Sequence, residues 1–190
     1  EGILQVFTRN GKRQPRLESY LQEKCNFTGS VLLDSECFLE NWNTTTSTLF
    51  NLISDYRKLK FYVFDILDYN VYMKKGATPS LQIRKQQLKE YLPTLKNNQF
   101  VQVPDYLLSN LESIKAIYES YISRGYEGVI LKESDSPYVY RRSKFWLKVK
   151  QVDFATYLCI EILPGTGRLR NTLGSIVVQD KNGITFKVGS

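Results

Sequence analysis

The sequence predicts a mixed α/β domain over residues 1–150 followed by an incomplete all-β module over residues 151–190. Three observations carry that expectation. The composition is globular, with 42% hydrophobic and 24% charged residues among 190. Apolar runs of strand length alternate with stretches at helical spacing as far as Lys150. From Gln151 onward only strand and turn patterns remain.

The elements follow in order. Ile3 to Thr8 is rich in β-formers and runs into Asn10-Gly11, a dipeptide suited to a tight turn, so a strand ending in a turn is expected. Ser30 to Leu39 and Phe61 to Leu67 are short apolar runs bounded by polar residues and read as strands. Between them Asn41 to Thr48 reads as a polar loop leading into a short helix around Leu49 to Lys58. Thr78-Pro79 looks like a helix start, with Leu81, Leu88 and Leu92 recurring at helical spacing. A strand is expected near Phe100 to Val103. Ser109 and Glu112 form a capping-box pattern ahead of an apolar stripe through Leu111, Ile114, Tyr118, Tyr121 and Ile122, which Gly125 stops. Strands at Val129 to Leu131 and Trp146 to Lys150 close the first domain. In the second, Ser175 to Gln179 and Ile184 to Val188 are joined by Asp180-Lys-Asn-Gly183, a hairpin signal.

Composition excludes several chemistries. The chain has no histidine, which removes Ser-His and Cys-His hydrolytic machinery and every histidine-based metal site. Cys25, Cys37 and Cys159 are an odd number at wide spacing, which argues against a disulfide framework and for an intracellular, reducing compartment. No apolar run approaches the roughly 20 residues that span a bilayer, so no membrane partner is expected. Lys and Arg outnumber Asp and Glu by 26 to 19, and the net charge of +7 favours a polyanionic partner. The N-terminal EGILQVFTRN has neither an initiating Met nor a signal-peptide pattern and reads as a cut end.

Candidate chemistry begins at Trp146-Leu-Lys-Val-Lys150. Strand alternation puts Lys148 and Lys150 on one face, roughly 7 Å apart. Their mutual repulsion there, roughly 2 kcal/mol at an effective dielectric of about 20, becomes attraction once a phosphate sits between them. A solvated strand face is the plainer reading of the same pattern. Glu127 lies between a helix stop and a buried strand, where its carboxylate suits a metal ion. Asp34 and Glu36 share a strand face by alternation and offer oxygen ligands for a metal or acceptors for a sugar hydroxyl. Phe64 would ordinarily be core; stacking on a purine is the alternative.

Taken in order, Thr8-Arg9-Asn10-Gly11, Leu33-Asp34-Ser35-Glu36, Phe61-Tyr-Val-Phe-Asp65, Glu127-Gly-Val-Ile-Leu-Lys132 and Trp146-Leu-Lys-Val-Lys150 resemble the successive nucleotidyltransferase motifs of ATP-dependent DNA ligases, in the style of the small viral and phage enzymes. Gly165-Thr-Gly-Arg-Leu-Arg-Asn171 and Leu173-Gly-Ser-Ile-Val-Val178 resemble the opening of that family's OB-fold domain. The resemblance implies a ligase-type, ATP-grasp-like nucleotidyltransferase domain with antiparallel sheets and flanking helices, then an incomplete β-barrel OB-fold.

It also implies roles. Glu36 contacts the nucleotide ribose, and Phe64 stacks on adenine. Glu127, with Glu36, works with Mg2+, while Lys148 and Lys150 contact the phosphates of ATP or AMP. Arg9 grips AMP or a 5′-phosphate, and Arg142, Arg168 and Arg170 meet DNA. The implied partner is nicked duplex DNA, sealed by a monomeric enzyme through ligase-AMP and DNA-adenylate intermediates. Asp34-Ser35-Glu36 stands where the family carries Asp-Gly-Glu, and Arg141 where a glycine often precedes the arginine matched by Arg142. The Lys-x-Asp-Gly motif with the nucleophile does not occur in these 190 residues, so this chain is expected not to adenylylate itself. An RNA ligase or mRNA-capping guanylyltransferase would share the same motifs, and a non-catalytic nucleic-acid-binding module would share the charge.

Overall fold

The computed structural model describes residues 3–50, 55–152 and 154–189. The chain divides into two compact units, Glu1–Val149 and Lys150–Ser190.

In the first unit a three-stranded sheet in the order β1-β2-β3 forms the centre. β1 (Val31–Phe38) runs antiparallel to β2 (Lys60–Asp68), and β3 (Phe100–Gln102) joins β2 in parallel. Two apolar clusters lie against it. One gathers Leu17 and Leu21 of helix α1 (Pro15–Lys24) with Tyr56, Leu59 and Phe61. The other gathers Val63 and Ile66 with Leu88 of α4 (Leu81–Tyr91) and Leu92 and Leu95 of the turn that follows it. At the first cluster the buried Gln99 amide donates to the carbonyl oxygens of Tyr56 at 2.6 Å and Leu59 at 3.0 Å, satisfying both acceptors. A second sheet holds β4 (Gly128–Lys132) and β5 (Trp146–Lys150), with α5 (Leu111–Ser123) leading into β4. Gly125 ends α5 as expected: it sits at φ +82°, a conformation costly to a residue with a Cβ, and its N–H donates to the Ile122 carbonyl.

The expected strands near Phe61 and Trp146 and the two longer helices are present, but local expectations fail in instructive places. Ile3 to Thr8 is not a strand; a single bridge between Phe7 and Arg13 frames the Thr8–Gly11 turn. The Asn41 to Thr48 stretch is helical after Asn41, within α2 (Trp42–Phe50), and part of the helix expected over Leu49 to Lys58 lies outside the described residues. Its Asn41 carboxamide accepts from the Thr44 N–H at 2.9 Å, and a cap of that strength outweighs the modest helix propensity of threonine. α1, whose Leu17 and Leu21 stand one turn apart on its buried face, and the five-residue α3 (Tyr69–Met73) are additional to the expected helices. α5 is capped by Asn110, whose side chain accepts from Ser113 N–H at 2.8 Å, rather than by Ser109.

Thr78 does not cap α4 either. Its hydroxyl accepts from Tyr138 N–H at 2.7 Å, and the residue at the cap, Ser80, makes no side-chain bond. The free donors at the helix start go to another segment: Leu81 N–H to the Ser136 carbonyl at 2.9 Å and Gln82 N–H to the Ser134 carbonyl at 3.0 Å. The connection between β4 and β5 is thus fastened onto the beginning of α4. Arg84 completes the junction. Its guanidinium meets Asp65 in two bonds of 2.7 and 3.0 Å and donates to the carbonyls of Pro79 and Ser136, with both charged side chains almost wholly buried.

The second unit is an antiparallel sheet of β6 (Leu158–Pro164), β7 (Leu173–Gln179) and β8 (Thr185–Gly189). Its β7–β8 hairpin turns at Asp180 to Gly183, where the Asp180 carboxylate accepts from Asn182 and Ile184 N–H groups and Gly183 takes φ +83°. The sheet is open rather than a closed barrel among the described residues.

Removing one member of the buried pair leaves the other charge uncompensated. Arg84→Met or Asp65→Asn should each lower unfolding stability by about 3–5 kcal/mol, whereas Arg84→Met combined with Asp65→Leu should recover much of that loss. Urea denaturation monitored by circular dichroism checks this; single variants at wild-type stability would refute the role given to the pair.

Candidate functional site

The site grows from an irregularity in the β1–β2 ladder. Asp34 pairs with Asp65 and Ser35 pairs with Val63, so Phe64 is the extra residue of a bulge in β2. Released from the ladder, the half-buried Phe64 ring meets Trp146 of β5 edge-on, with centroids 6.5 Å apart. Phe64 is therefore neither plain core nor freely exposed. The Lys132 ammonium at the end of β4 lies 3.8 Å from the Trp146 ring centroid and 5.1 Å from that of Phe64, held by the negative faces of both rings. Tyr138 closes the group. Its ring stands perpendicular to Trp146 at 6.1 Å, and its hydroxyl donates to Asp34 Oδ2 at 2.9 Å.

Burial shapes the electrostatics of this cluster. It pushes the Lys132 amine down to about 8, assisted by repulsion from Lys85 and resisted by Asp65, Asp105 and Asp34. Burial raises the Asp34 carboxyl, opposed by the hydrogen bond from Tyr138. The Tyr138 phenol is raised by burial and then by the neighbouring Asp34 charge.

At the outer end of the same strands Lys148 Nζ meets Glu127 Oε1 at 2.9 Å, with both side chains more than half exposed. Strand alternation puts Lys148 and Lys150 on the face that carries Trp146. Glu36 is exposed on β1 opposite Tyr62. Among the described residues no group of three or more His, Cys, Asp or Glu side chains could hold a metal ion. A single carboxylate is nonetheless a fitting donor for Mg2+, which takes one or two carboxylates, keeps several waters and completes its shell with substrate phosphates. Arg9, on the exposed Thr8–Gly11 turn, and the exposed Arg142 take no part in the aromatic cluster. Arg168 and Arg170 are exposed in the second unit, at and just after its short 3-10 turn.

Sequence patterns therefore anticipated Glu127, Phe64 and the two lysines as candidates, but not Lys132, Tyr138 and Trp146 as members of the site or Asp65 and Arg84 as its support. Alternation alone could have added Trp146, two residues before Lys148. Nothing local marks Arg84 as buried.

Comparison with known proteins identifies the family. The family model described as ATP dependent DNA ligase domain matches residues 2–150, and the chain belongs to that family. The DNA ligase of Haemophilus influenzae is 28% identical over 192 aligned positions, covering 98% of this chain and 66% of that protein. The DNA ligase of phage T4 is 27% identical over 140 positions, covering 69% of this chain and 28% of its own. This chain thus spans only part of those relatives. Among solved structures, a Lig E DNA ligase superposes with a TM-score of 0.74 at 22% identity over 98% of this chain and 70% of its own. Chlorella virus DNA ligase-adenylate does so with a TM-score of 0.61 at 22% identity over 98% and 70%. Relatives named as DNA ligases do not favour the RNA ligase or guanylyltransferase alternative.

The lowered Lys132 amine has a thermodynamic consequence. Between about 8 and its ordinary 10.5 the unfolded chain binds more of this proton than the folded chain, so stability should rise with pH across that window. Lys132→Met should flatten the rise. Urea midpoints measured from pH 8 to 10 for both proteins test it; identical slopes would contradict the burial of a charged Lys132.

Proposed function

We propose that this chain is the nucleotide-handling part of an ATP-dependent DNA ligase that seals nicks in duplex DNA. The observation that carries the reading is the meeting of Glu127 and Lys148 at 2.9 Å beside the Phe64–Trp146–Lys132 cluster, within a chain of the ligase family. A phosphate binder needs cations near a stacking surface, and Lys148, two residues along β5 from Trp146, supports that reading.

In the proposed reaction a lysine amine attacks the α-phosphorus of ATP and pyrophosphate leaves. The AMP then passes to the 5′-phosphate at a nick. Finally the adjacent 3′-hydroxyl attacks that phosphate, forming the phosphodiester and expelling AMP. Phe64 stacks on adenine and Glu36 accepts from a ribose hydroxyl. Lys148 and Lys150 face the phosphates, and each step moves negative charge that these cations stabilise. Mg2+ held by Glu127 and phosphate oxygens would neutralise further charge as the phosphate is attacked. In this scheme Lys148 exchanges its carboxylate partner for a phosphate when nucleotide enters, a small cost because the exposed pair is worth only about 0–1 kcal/mol. Arg9 holds AMP or the 5′-phosphate, and Arg142, Arg168 and Arg170 contact the DNA backbone, where each neutralised phosphate releases counterions. The enzyme works as a monomer in a reducing intracellular compartment.

Lys148→Ala and Lys150→Ala should each weaken ATP binding by this chain about tenfold or more, read by calorimetry, since each removes a charge-assisted phosphate contact of about 1.5–3 kcal/mol. Labelled ATP with magnesium should leave no covalent lysyl-AMP on the 190-residue chain. Salt-sensitive DNA binding with no response to ATP would instead favour a non-catalytic nucleic-acid-binding module.

A further inference from the structure

The bulge that frees Phe64 from the ladder also removes the usual device that aims a strand side chain, a fixed pairing with the neighbouring strand. What holds the ring must be its lateral contacts, among them Trp146 and Lys132. Trp146 in turn is braced by Tyr138.

Tyr138 is itself anchored from two directions. Its N–H donates to Thr78 Oγ1, and its neighbours in the β4–β5 connection accept from α4: the Ser136 carbonyl from Leu81 N–H and Arg84, the Ser134 carbonyl from Gln82 N–H. The Arg84 guanidinium lies 5.8 Å from the Tyr138 ring centroid. On the other side the Tyr138 hydroxyl reaches Asp34 of β1, the strand that also carries Glu36. One side chain therefore spans from the α4 junction to β1 while its ring supports the tryptophan on which Phe64 rests.

We propose that Tyr138 is a positioning residue for the nucleotide base, setting the orientation of Phe64 through Trp146 and of the Asp34–Glu36 segment through its hydroxyl. The inference rests on the reading that a purine stacks on Phe64. A hydroxyl-to-carboxylate bond in a half-buried site is shorter and stronger than one in water, so it can fasten the β4–β5 connection to β1 at the residue where the β1–β2 ladder is broken. Losing it lets the ring and the acidic segment drift, and the loss falls on nucleotide affinity rather than on the core clusters, to which Tyr138 does not belong.

The test uses the whole chain in a Trp42→Phe background, so that Trp146 is the only tryptophan and reports on the pocket. ATP with magnesium is the probe, titrated by Trp146 fluorescence at a temperature where circular dichroism shows every variant folded. Tyr138→Phe should raise the Kd for ATP about fivefold or more, the size expected for one lost hydrogen bond, and should shift the Trp146 emission before nucleotide is added. Asp34→Ala should weaken binding comparably, and the Tyr138→Phe, Asp34→Ala double variant should be little worse than either alone, because both remove the same bond. Phe64→Ala serves as the reference for base stacking. If Phe64→Ala weakens ATP binding while Tyr138→Phe binds as tightly as the parent, the positioning role is overturned and the base site stands. If Phe64→Ala binds ATP unchanged, the stacking reading itself fails. Should Tyr138→Phe lose its fold, the Asp34→Ala titration decides: parental affinity there overturns the proposal.

Discussion

The buried ion pair between Arg84 and Asp65 is the constraint around which the first unit is arranged. Two opposite charges almost fully removed from water must satisfy each other and whatever polar atoms surround them, because neither can be left alone in a low-dielectric interior. Arg84 meets that demand with two bonds to Asp65 and others to the carbonyls of Pro79 and Ser136. In doing so it ties β2, α4 and the β4–β5 connection together at one point. β2 presents Phe64, and the connection presents Tyr138 and leads into β5, which begins with Trp146.

The working surface lies just outside that junction and follows a different electrostatic logic. Inside, charges are matched one to one; outside, cations are in excess or held by soft partners. Lys132 rests on the faces of two aromatic rings, and Lys148 is paired with Glu127 in an exposed contact. The exposed Lys148 pair can be redirected toward an incoming anion at small cost, whereas Lys132 is held more firmly by burial against two ring faces. A charge-matched base beneath a partly exposed cationic surface suits the proposed nucleotide chemistry, since orientation must be fixed before charge moves.

Family membership and this division of labour bear on each other. The match to the ATP dependent DNA ligase domain covers residues 2–150, the span that holds both the junction and the working surface. The second unit contributes a separate sheet whose outer strands β6 and β8 are mostly exposed. Its arginines, Arg168 and Arg170, sit at and beside a turn and not in a packed core, consistent with the proposed contact to a phosphate backbone.

The amino-acid sequence by itself determined the mixed α/β class, the main strands and longer helices, and the candidates Glu127, Phe64, Lys148 and Lys150. Those features are written in local periodicity and in short residue strings, which act over one or two turns of chain. It did not determine that Asn41 to Thr48 would be helical, that Thr78 would bond to Tyr138 instead of capping α4, or that Arg84 would be buried. Each of these depends on a partner far along the chain or on a cap that outweighs propensity. Only the tertiary structure decided that the ladder skips at Phe64 and that Lys132, Tyr138 and Trp146 gather there, because a bulge is set by the register between two strands and an aromatic cluster by the packing of three distant segments.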